Sequence, residues 1–322
     1  MGNMKNELKS MFTEHWKYLA VNAACELELF DRVFEGQNSL NKLVKSNSWD
    51  SKNLSSLLEF LLLNGYLNKI QEEELALTEK SNLLRKNNSE GLYHACLNWS
   101  GEHLIAWQNI KYTIVTGESS FEHIYNKPYF HYLTNDQKKL LDYHKAMFEY
   151  AIDDYKELPN IVDFSKHSSI MDVGGGFGAA INLIQQKNTN TQCFLFDLEE
   201  VVSHAPSLSV EKFGGDFFRE IPKCSEAIIL SRVLHDWDND KSNIILSNCK
   251  RGLPMNGTLY VIENCTDIVQ TNLSLLSLNM AAMCQSFERS STEYISLCEN
   301  CGFTFKESRQ LNHLQTILIF QI

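Results

Sequence analysis

The segment Ile170-Met171-Asp172-Val173-Gly174-Gly175-Gly176-Phe177-Gly178 constrains this chain more than any other. A short apolar-rich stretch runs straight into a loop dominated by glycine and then into Ala179, which reads as strand, tight loop and helix. Glycine lets the backbone come close to a ligand at a helix N-terminus, where free N–H groups and the helix dipole favour a carboxylate or phosphate. The glycines alone leave the ligand open. Gly174, Gly176 and Ala179 also satisfy the dinucleotide pattern G-x-G-x-x-[GA], and Asp197 stands at the end of the next expected strand, about twenty residues on, as a ribose-binding acid would. A tight turn that holds no ligand is the bland alternative.

After His167 the pattern alternates between strand and helix, which predicts a parallel sheet covered on both faces and an α/β fold. Strands are expected at Ser169–Val173, Cys193–Phe196, Val210–Phe213, Ala227–Leu230, Leu259–Glu263, Phe303–Lys306 and Thr316–Phe320. The last two are separated by about ten residues, too few for a helical crossover, so the terminal strand is expected to run antiparallel to its neighbours. Upstream, Leu54, Leu57, Leu58, Leu61 and Leu62 make one apolar stripe on a helix over Ser51 to Leu63, which stops at Asn64-Gly65. Tyr66 to Ile70, the acidic tip Glu72-Glu73-Glu74 and Leu75 to Thr78 read as a hairpin, so this part has the order of a winged helix. A second helical stretch, Glu102 to Leu158, is interrupted near Gly117 and Pro128.

Charge and composition narrow the class. The presumed recognition helix offers only Lys52 as a base, the wing tip is acidic and the net charge is -11, so nucleic acid and anionic membrane are disfavoured partners. With 43% hydrophobic and 21% charged residues the chain is neither disordered nor a disulfide knot. Nine cysteines scattered from Cys25 to Cys301 argue against a disulfide framework and for a reduced, cytoplasmic setting. Cys298 and Cys301 lack the second pair that a zinc site needs. No apolar run approaches the roughly 18 residues of a membrane span, and the opening residues carry no expected export signal.

Asp172 to Gly178, Phe196-Asp197-Leu198, Gly214-Gly215-Asp216-Phe217-Phe218, Leu234-His235-Asp236-Trp237, Gly252-Leu253-Pro254 and Val261-Ile262-Glu263 follow one another in an order and spacing that resembles the caffeate and hydroxyindole O-methyltransferase family. The resemblance extends upstream to Thr116-Gly117, Phe121-Glu122 and the winged helix. It implies a class I S-adenosylmethionine-dependent O-methyltransferase with a seven-stranded, doubly wound, Rossmann-like sheet. Residues 1–100 would form a winged-helix dimerisation domain of a homodimer, 101–160 a helical bridge with acceptor-pocket helices, and 161–322 the catalytic domain. The cofactor would be held by Asp172, Gly174, Gly176, Asp197, Leu198, Asp216, Phe217 and Ser231, with Asp197 on the ribose hydroxyls and Asp216 and Phe217 at the adenine. On its own, Asp216 would read as a turn residue.

By the same resemblance His235 is the general base that takes the acceptor's hydroxyl proton, a task that suits an imidazole of ordinary pKa near about 6.5. Glu263 and Glu288 match the family acids that flank it; their bland readings are a strand-end cap and a surface charge beside Arg289. A calcium loop from Asp236, Asp238 and Asp240 fails, because Lys241 stands where glycine is needed and Ser247 where the bidentate glutamate is needed, so no metal is expected. The chain departs from the family in Gln285-Ser286-Phe287-Glu288-Arg289-Ser290, where Gly-Gly-basic-Glu-Arg-Thr is usual, and in Ser277, where an acid is usual. Phe130, Met147, Trp237, Met280, Met283 and Phe287 are expected around a flat aromatic acceptor. The altered segment motivates an alternative, a same-fold enzyme that retains the cofactor but catalyses hydroxylation, decarboxylation or rearrangement. A nicotinamide oxidoreductase and a winged-helix regulator are the more distant alternatives.

Overall fold

The computed structural model describes residues 2–71, 73–206, 209–268 and 271–322. The chain forms two units, with the boundary between Gly101 and Glu102. In the first, helices at Gly2–Phe12, Glu14–Glu26, Leu29–Phe34, Leu40–Asn47 and Ser51–Leu63 precede a two-stranded antiparallel ribbon of β1 (Leu67–Lys69) and β2 (Leu75–Leu77). The Ser51–Leu63 helix starts where the Asp50 carboxylate accepts the Asn53 N–H and turns Leu54, Leu58 and Leu61 into the core, one helical face as the leucine spacing requires. The ribbon is shorter than expected. Thr78 leaves the strand because its hydroxyl accepts the Ser81 N–H and caps the next helix. Glu72 of the expected acidic tip lies outside the described residues.

The second unit is built on a seven-stranded sheet of β3 (Ser169–Val173), β4 (Gln192–Asp197), β5 (Glu211–Gly214), β6 (Ala227–Ser231), β7 (Thr258–Asn264), β8 (Thr304–Gln310) and β9 (Gln315–Gln321). Its order is β5-β4-β3-β6-β7-β9-β8, with β9 antiparallel to both β7 and β8 and the other pairs parallel. All seven expected strands are present, and the terminal one runs antiparallel as its short connection required. Residues of β3 alternate between two cores. Ile170 joins Leu195, Ile229 and Ile262 on one face, whereas Met171 and Val173 join Phe196, Leu230 and Val261 on the other. Both faces are therefore covered, which is why β3 and β7 are buried along their whole lengths.

Helices from Glu102 to Ile161 belong to this same unit, the longest being Gln137–Tyr155. They break where expected: Gly117, at φ 77°, ends Ile110–Thr116, and Pro128 precedes Tyr129–Thr134. The strand order reverses between β3 and β6. In an open α/β sheet that is where a crevice forms beyond the strand C-terminal ends, and Gly174 and Arg232 are the first residues past those two ends. Among the described residues no helix is long and apolar enough to cross a membrane.

Candidate active site

At the end of β3 the backbone is left-handed at Gly174, Gly176 and Gly178, with φ of 70°, 58° and 81°. Space is as restrictive as conformation. A Cβ at Gly174 would stand 2.8 Å from Val233, and one at Gly175 would stand 2.6 Å from the Asp172 carboxylate. The loop is tied to β4, since Gly174 N–H donates to the Phe196 carbonyl at 2.8 Å and Gly176 N–H to Asp197 Oδ2 at 2.8 Å. Asp197 Oδ1 accepts the Leu198 N–H at 2.7 Å. At the end of β5, Gly215 N–H donates to the Asp197 carbonyl, and Asp216 Oδ1 accepts the Phe218 N–H at 2.9 Å in the turn that its residue type favours. The neighbouring Phe217 ring reaches the glycine loop, 3.4 Å from where a Gly174 Cβ would be. Beneath the loop, Asp172 is buried; loss of solvent, with the Asp197 charge nearby, pushes its carboxyl up to about 7.

The second half of the site follows β6. Ser231 donates its hydroxyl to Tyr155 Oη at 2.7 Å, and Arg232 takes a left-handed φ of 56° before a 3-10 turn over Leu234–Asp236. His235, 4% exposed, is carried by that turn. Two other segments grip it. Glu263 on β7 accepts the N–H groups of Val233 and Leu234 through Oε1 at 3.1 and 2.8 Å. Glu288 Oε1 lies 3.1 Å from His235 Nδ1 and accepts from Asn264 Nδ2 at 3.0 Å. Arg289 donates to the carbonyls of Leu234 and Trp237 at 2.9 and 2.7 Å. Glu288 and Arg289 are 4% and 2% exposed, so the surface-charge reading of this pair is excluded. Glu263 is both a cap for the turn and a member of the charged cluster.

Burial alone would pull the His235 pKa down, but the carboxylates of Glu288, Asp236 and Glu263 outweigh it and push the imidazole up to about 9. Burial would raise Glu288, yet pairing with His235, Arg232 and Asn264 brings it down to about 2. Glu263 and Asp236 stay on the other side of the balance, pushed by burial to about 7 and about 6. One ligand atom from each of His235, Glu263 and Glu288 falls within 4.8 Å of the others, a donor set that could accept a metal ion. The cations already facing the carboxylates, His235 and Arg232, balance their charge without one. Arg232 was not singled out from sequence. Its buried Nε has no hydrogen-bond partner among the described residues, and the carboxylates of Glu288 and Glu263 and the Tyr155 hydroxyl hold its charge against desolvation.

Beside the turn, Phe130 lies 5.4 Å from Trp237 between ring centroids, and Trp237 packs edge-on to Phe217 and Phe218 at 6.2 and 4.8 Å. Met280 and Met283 are buried on the helix Thr271–Cys284, with Met283 in the core that contains Phe121 and Tyr129. Met147 is half-buried on Gln137–Tyr155. Phe287 departs from expectation. It is 49% exposed and lines a surface groove of about 450 Å³ with Ser277 and Leu278, so it does not join the Trp237 cluster; Glu288 points inward and the preceding side chain outward. Two residues of Gln137–Tyr155 went unnoticed in the sequence. Tyr143 packs edge-on to Tyr129 and Phe130 at 5.7 and 6.0 Å, and His144 stacks on Phe177 at 5.6 Å, 3.2 Å from where a Gly176 Cβ would be. Helical periodicity marked their helix but not which face meets the loop.

A doubly wound sheet with a glycine loop at its switch point, an acid at the end of the next strand and a buried carboxylate–histidine pair beside it defines a class I S-adenosylmethionine-dependent methyltransferase. The O-methyltransferase domain family matches residues 107–304, and the chain belongs to that family as an S-adenosylmethionine-dependent O-methyltransferase. It is 25% identical over 309 residues to a phenazine O-methyltransferase of Lysobacter antibioticus, covering 93% of this chain and 91% of the relative. It is 33% identical over 209 residues to O-methyltransferase 16 of Lophophora williamsii, covering 62% of this chain and 56% of that one. The fold is shared with human N-acetylserotonin methyltransferase in complex with S-adenosylmethionine, at a TM-score of 0.89 and 20% identity over 99% of this chain and 97% of the other.

Proposed function

We propose that the chain methylates a hydroxyl of a small phenolic metabolite, with His235 as general base and no metal. The carrying observation is the 3.1 Å contact between His235 Nδ1 and Glu288 Oε1, which leaves Nε2, 3.6 Å from Asp236 Oδ1, as the nitrogen for the acceptor's proton. Glu288 orients the ring and favours the imidazolium that forms, and Glu263 holds the turn by its backbone. The residues present fit the cofactor. Asp197 stands at the edge of a loop too tight for any Cβ at Gly174, Phe217 offers a ring against that loop, and the unpaired Arg232 Nε awaits an anion such as the methionine carboxylate. Asp172, Leu198, Asp216 and Ser231 complete this cradle in the proposal. Bound S-adenosylmethionine supplies a methyl carbon made electrophilic by its sulfonium. The chain's own part is to hold the acceptor in line, exclude water and accept one proton. Phe130, Trp237, Met147, Met280 and Met283, with Tyr143, supply the apolar walls.

The relatives support an aromatic acceptor: one is named for phenazines, another, from Streptomyces cremeus, for 3-amino-4-hydroxybenzoate. The altered Gln285-Ser286-Phe287 segment still delivers Glu288 to the histidine, which argues against a non-methylating reaction. Incubation with labelled methyl donor and a panel of phenols tests the proposal: labelled aryl ether together with S-adenosylhomocysteine is expected, and a product without the label would exclude it.

For the first unit we propose residues 1–100 as a winged-helix dimerisation domain, with 101–160 contributing acceptor-pocket helices to a catalytic domain over 161–322. Met4, Leu8, Met11, Phe12 and Trp16 are large apolar residues exposed on the first two helices, a surface that a second copy would cover. Light scattering is expected to give twice the chain mass, and Leu8→Glu with Phe12→Glu a single one. All nine cysteines are free thiols, which supports a cytoplasmic setting.

A further inference from the structure

The segment between the helix Thr271–Cys284 and Glu288 has no regular structure, yet it is held in one conformation at three points. Gln285 adopts a left-handed φ of 55°, a strained choice for a residue with a side chain. Ser286, 2% exposed, donates its N–H to the Met280 carbonyl at 3.3 Å and its hydroxyl to the His235 carbonyl at 2.7 Å. Two residues on, Glu288 reaches Nδ1 of the same histidine. Arg289 holds the carbonyls on either side, those of Leu234 and Trp237, so the bond to His235 itself falls to Ser286. One short segment thus grips His235 by its backbone and by its ring. A ring's distance from its carboxylate depends on where its own Cα is held, so the two grips work as a pair.

We propose that Ser286 is a positioning residue for His235, its hydroxyl fixing the backbone from which the imidazole meets Glu288. The proposal rests on the reading of His235 as the base, but its geometric content can be tested without an acceptor. The alternative is that Ser286 merely fills space at the end of a helix. Threonine keeps the hydroxyl and valine is its near-isostere without one, so Ser286→Thr and Ser286→Val separate the two, with Ser286→Ala as the smaller deletion.

The test is an NMR titration of the His235 ring in each variant, with S-adenosylhomocysteine binding by calorimetry as the check that the site is folded. Ser286→Val and Ser286→Ala are expected to lower the His235 pKa by about one pH unit, roughly a tenfold loss of proton affinity, as the ring drifts from Glu288. Ser286→Thr is expected to keep it, and all three to bind S-adenosylhomocysteine within about twofold of the native chain. An unchanged titration in Ser286→Val and Ser286→Ala overturns the proposal, as does equal loss in Ser286→Thr and Ser286→Val. Full turnover by His235→Ala would be a different failure: it would remove the base reading while leaving the titration to report on Ser286.

Discussion

The glycine loop and the turn that carries His235 lie at the C-terminal ends of neighbouring strands, β3 and β6, and are built in opposite ways. The loop is made of backbone and sterics: left-handed glycines, an N–H to Phe196, another to Asp197, and no room for a Cβ. The turn is made of buried charge brought from three separate segments, with Glu263, Glu288, Arg289 and Arg232 around one histidine and the Oε2 atoms of both glutamates without a hydrogen-bond partner among the described residues. A site made of backbone should fail by losing its ligand. A site made of charge should fail by losing chemistry while the ligand stays.

His235→Ala is the largest expected break. Loss of a positioned base costs about 100- to 10,000-fold in turnover, whereas S-adenosylhomocysteine affinity should stay within about twofold, because the loop does not depend on the imidazole. Parallel loss of turnover and affinity would mean that the two regions are one structure. Gly174→Ala is the converse. It adds a Cβ 2.8 Å from Val233 on a residue with φ of 70°. Left-handed strain and overpacking together cost about 2–4 kcal/mol, or roughly 30- to 1,000-fold in cofactor affinity measured by calorimetry. Unchanged affinity would show that the loop only turns the chain.

The same contrast explains what could be read from sequence. The loop is contiguous, so Gly174, Gly176 and the strand before them are visible as a motif, and the sheet covered on both faces follows from the alternation of strand and helix along the chain. The acid at Asp197 is visible because strand length fixes its spacing. The turn is not contiguous. Glu288 next to Arg289 has the look of a solvated pair, and only the tertiary fold buries both. Arg232 hides in the run Ser231 to Leu234, since nothing in a sequence announces a left-handed arginine. Resemblance names Glu263 and Glu288 as the acids flanking His235, and the three offer ligand atoms within 4.8 Å of one another; Phe287, expected at the acceptor from its apolar bulk, is turned out by chain direction instead.

The pH dependence of turnover sharpens the comparison further. In the proposed reaction His235 must be neutral to act as base, and its carboxylate neighbours hold the proton up to about 9, so kcat/KM is expected to rise with pH and level off near there. Glu288→Gln removes the largest of those attractions. The rise should then move down toward about 6.5, with a plateau at least about tenfold lower because the ring is no longer oriented. A rise that stays where it was would assign the titration to another group.

Asp172 gives the smallest effect and shows that the loop side also carries electrostatic tension. Its carboxyl ordinarily titrates near 3.8 and is pushed by burial to about 7 in the folded chain. Between those values the folded state keeps a proton that the unfolded state has released, so stability from this group is present below about 4 and is lost as pH rises to about 7. Above that the penalty for a buried charge is complete. Asp172→Asn cannot ionise and can still accept the Ile181 N–H that the carboxylate uses. It should match the native chain in thermal melts at pH 4 and exceed it at pH 8 by about 1–3 kcal/mol. Equal stability at pH 8 would show that the carboxylate is solvated or paired after all, and that the loop side is as free of buried charge as its backbone construction implies.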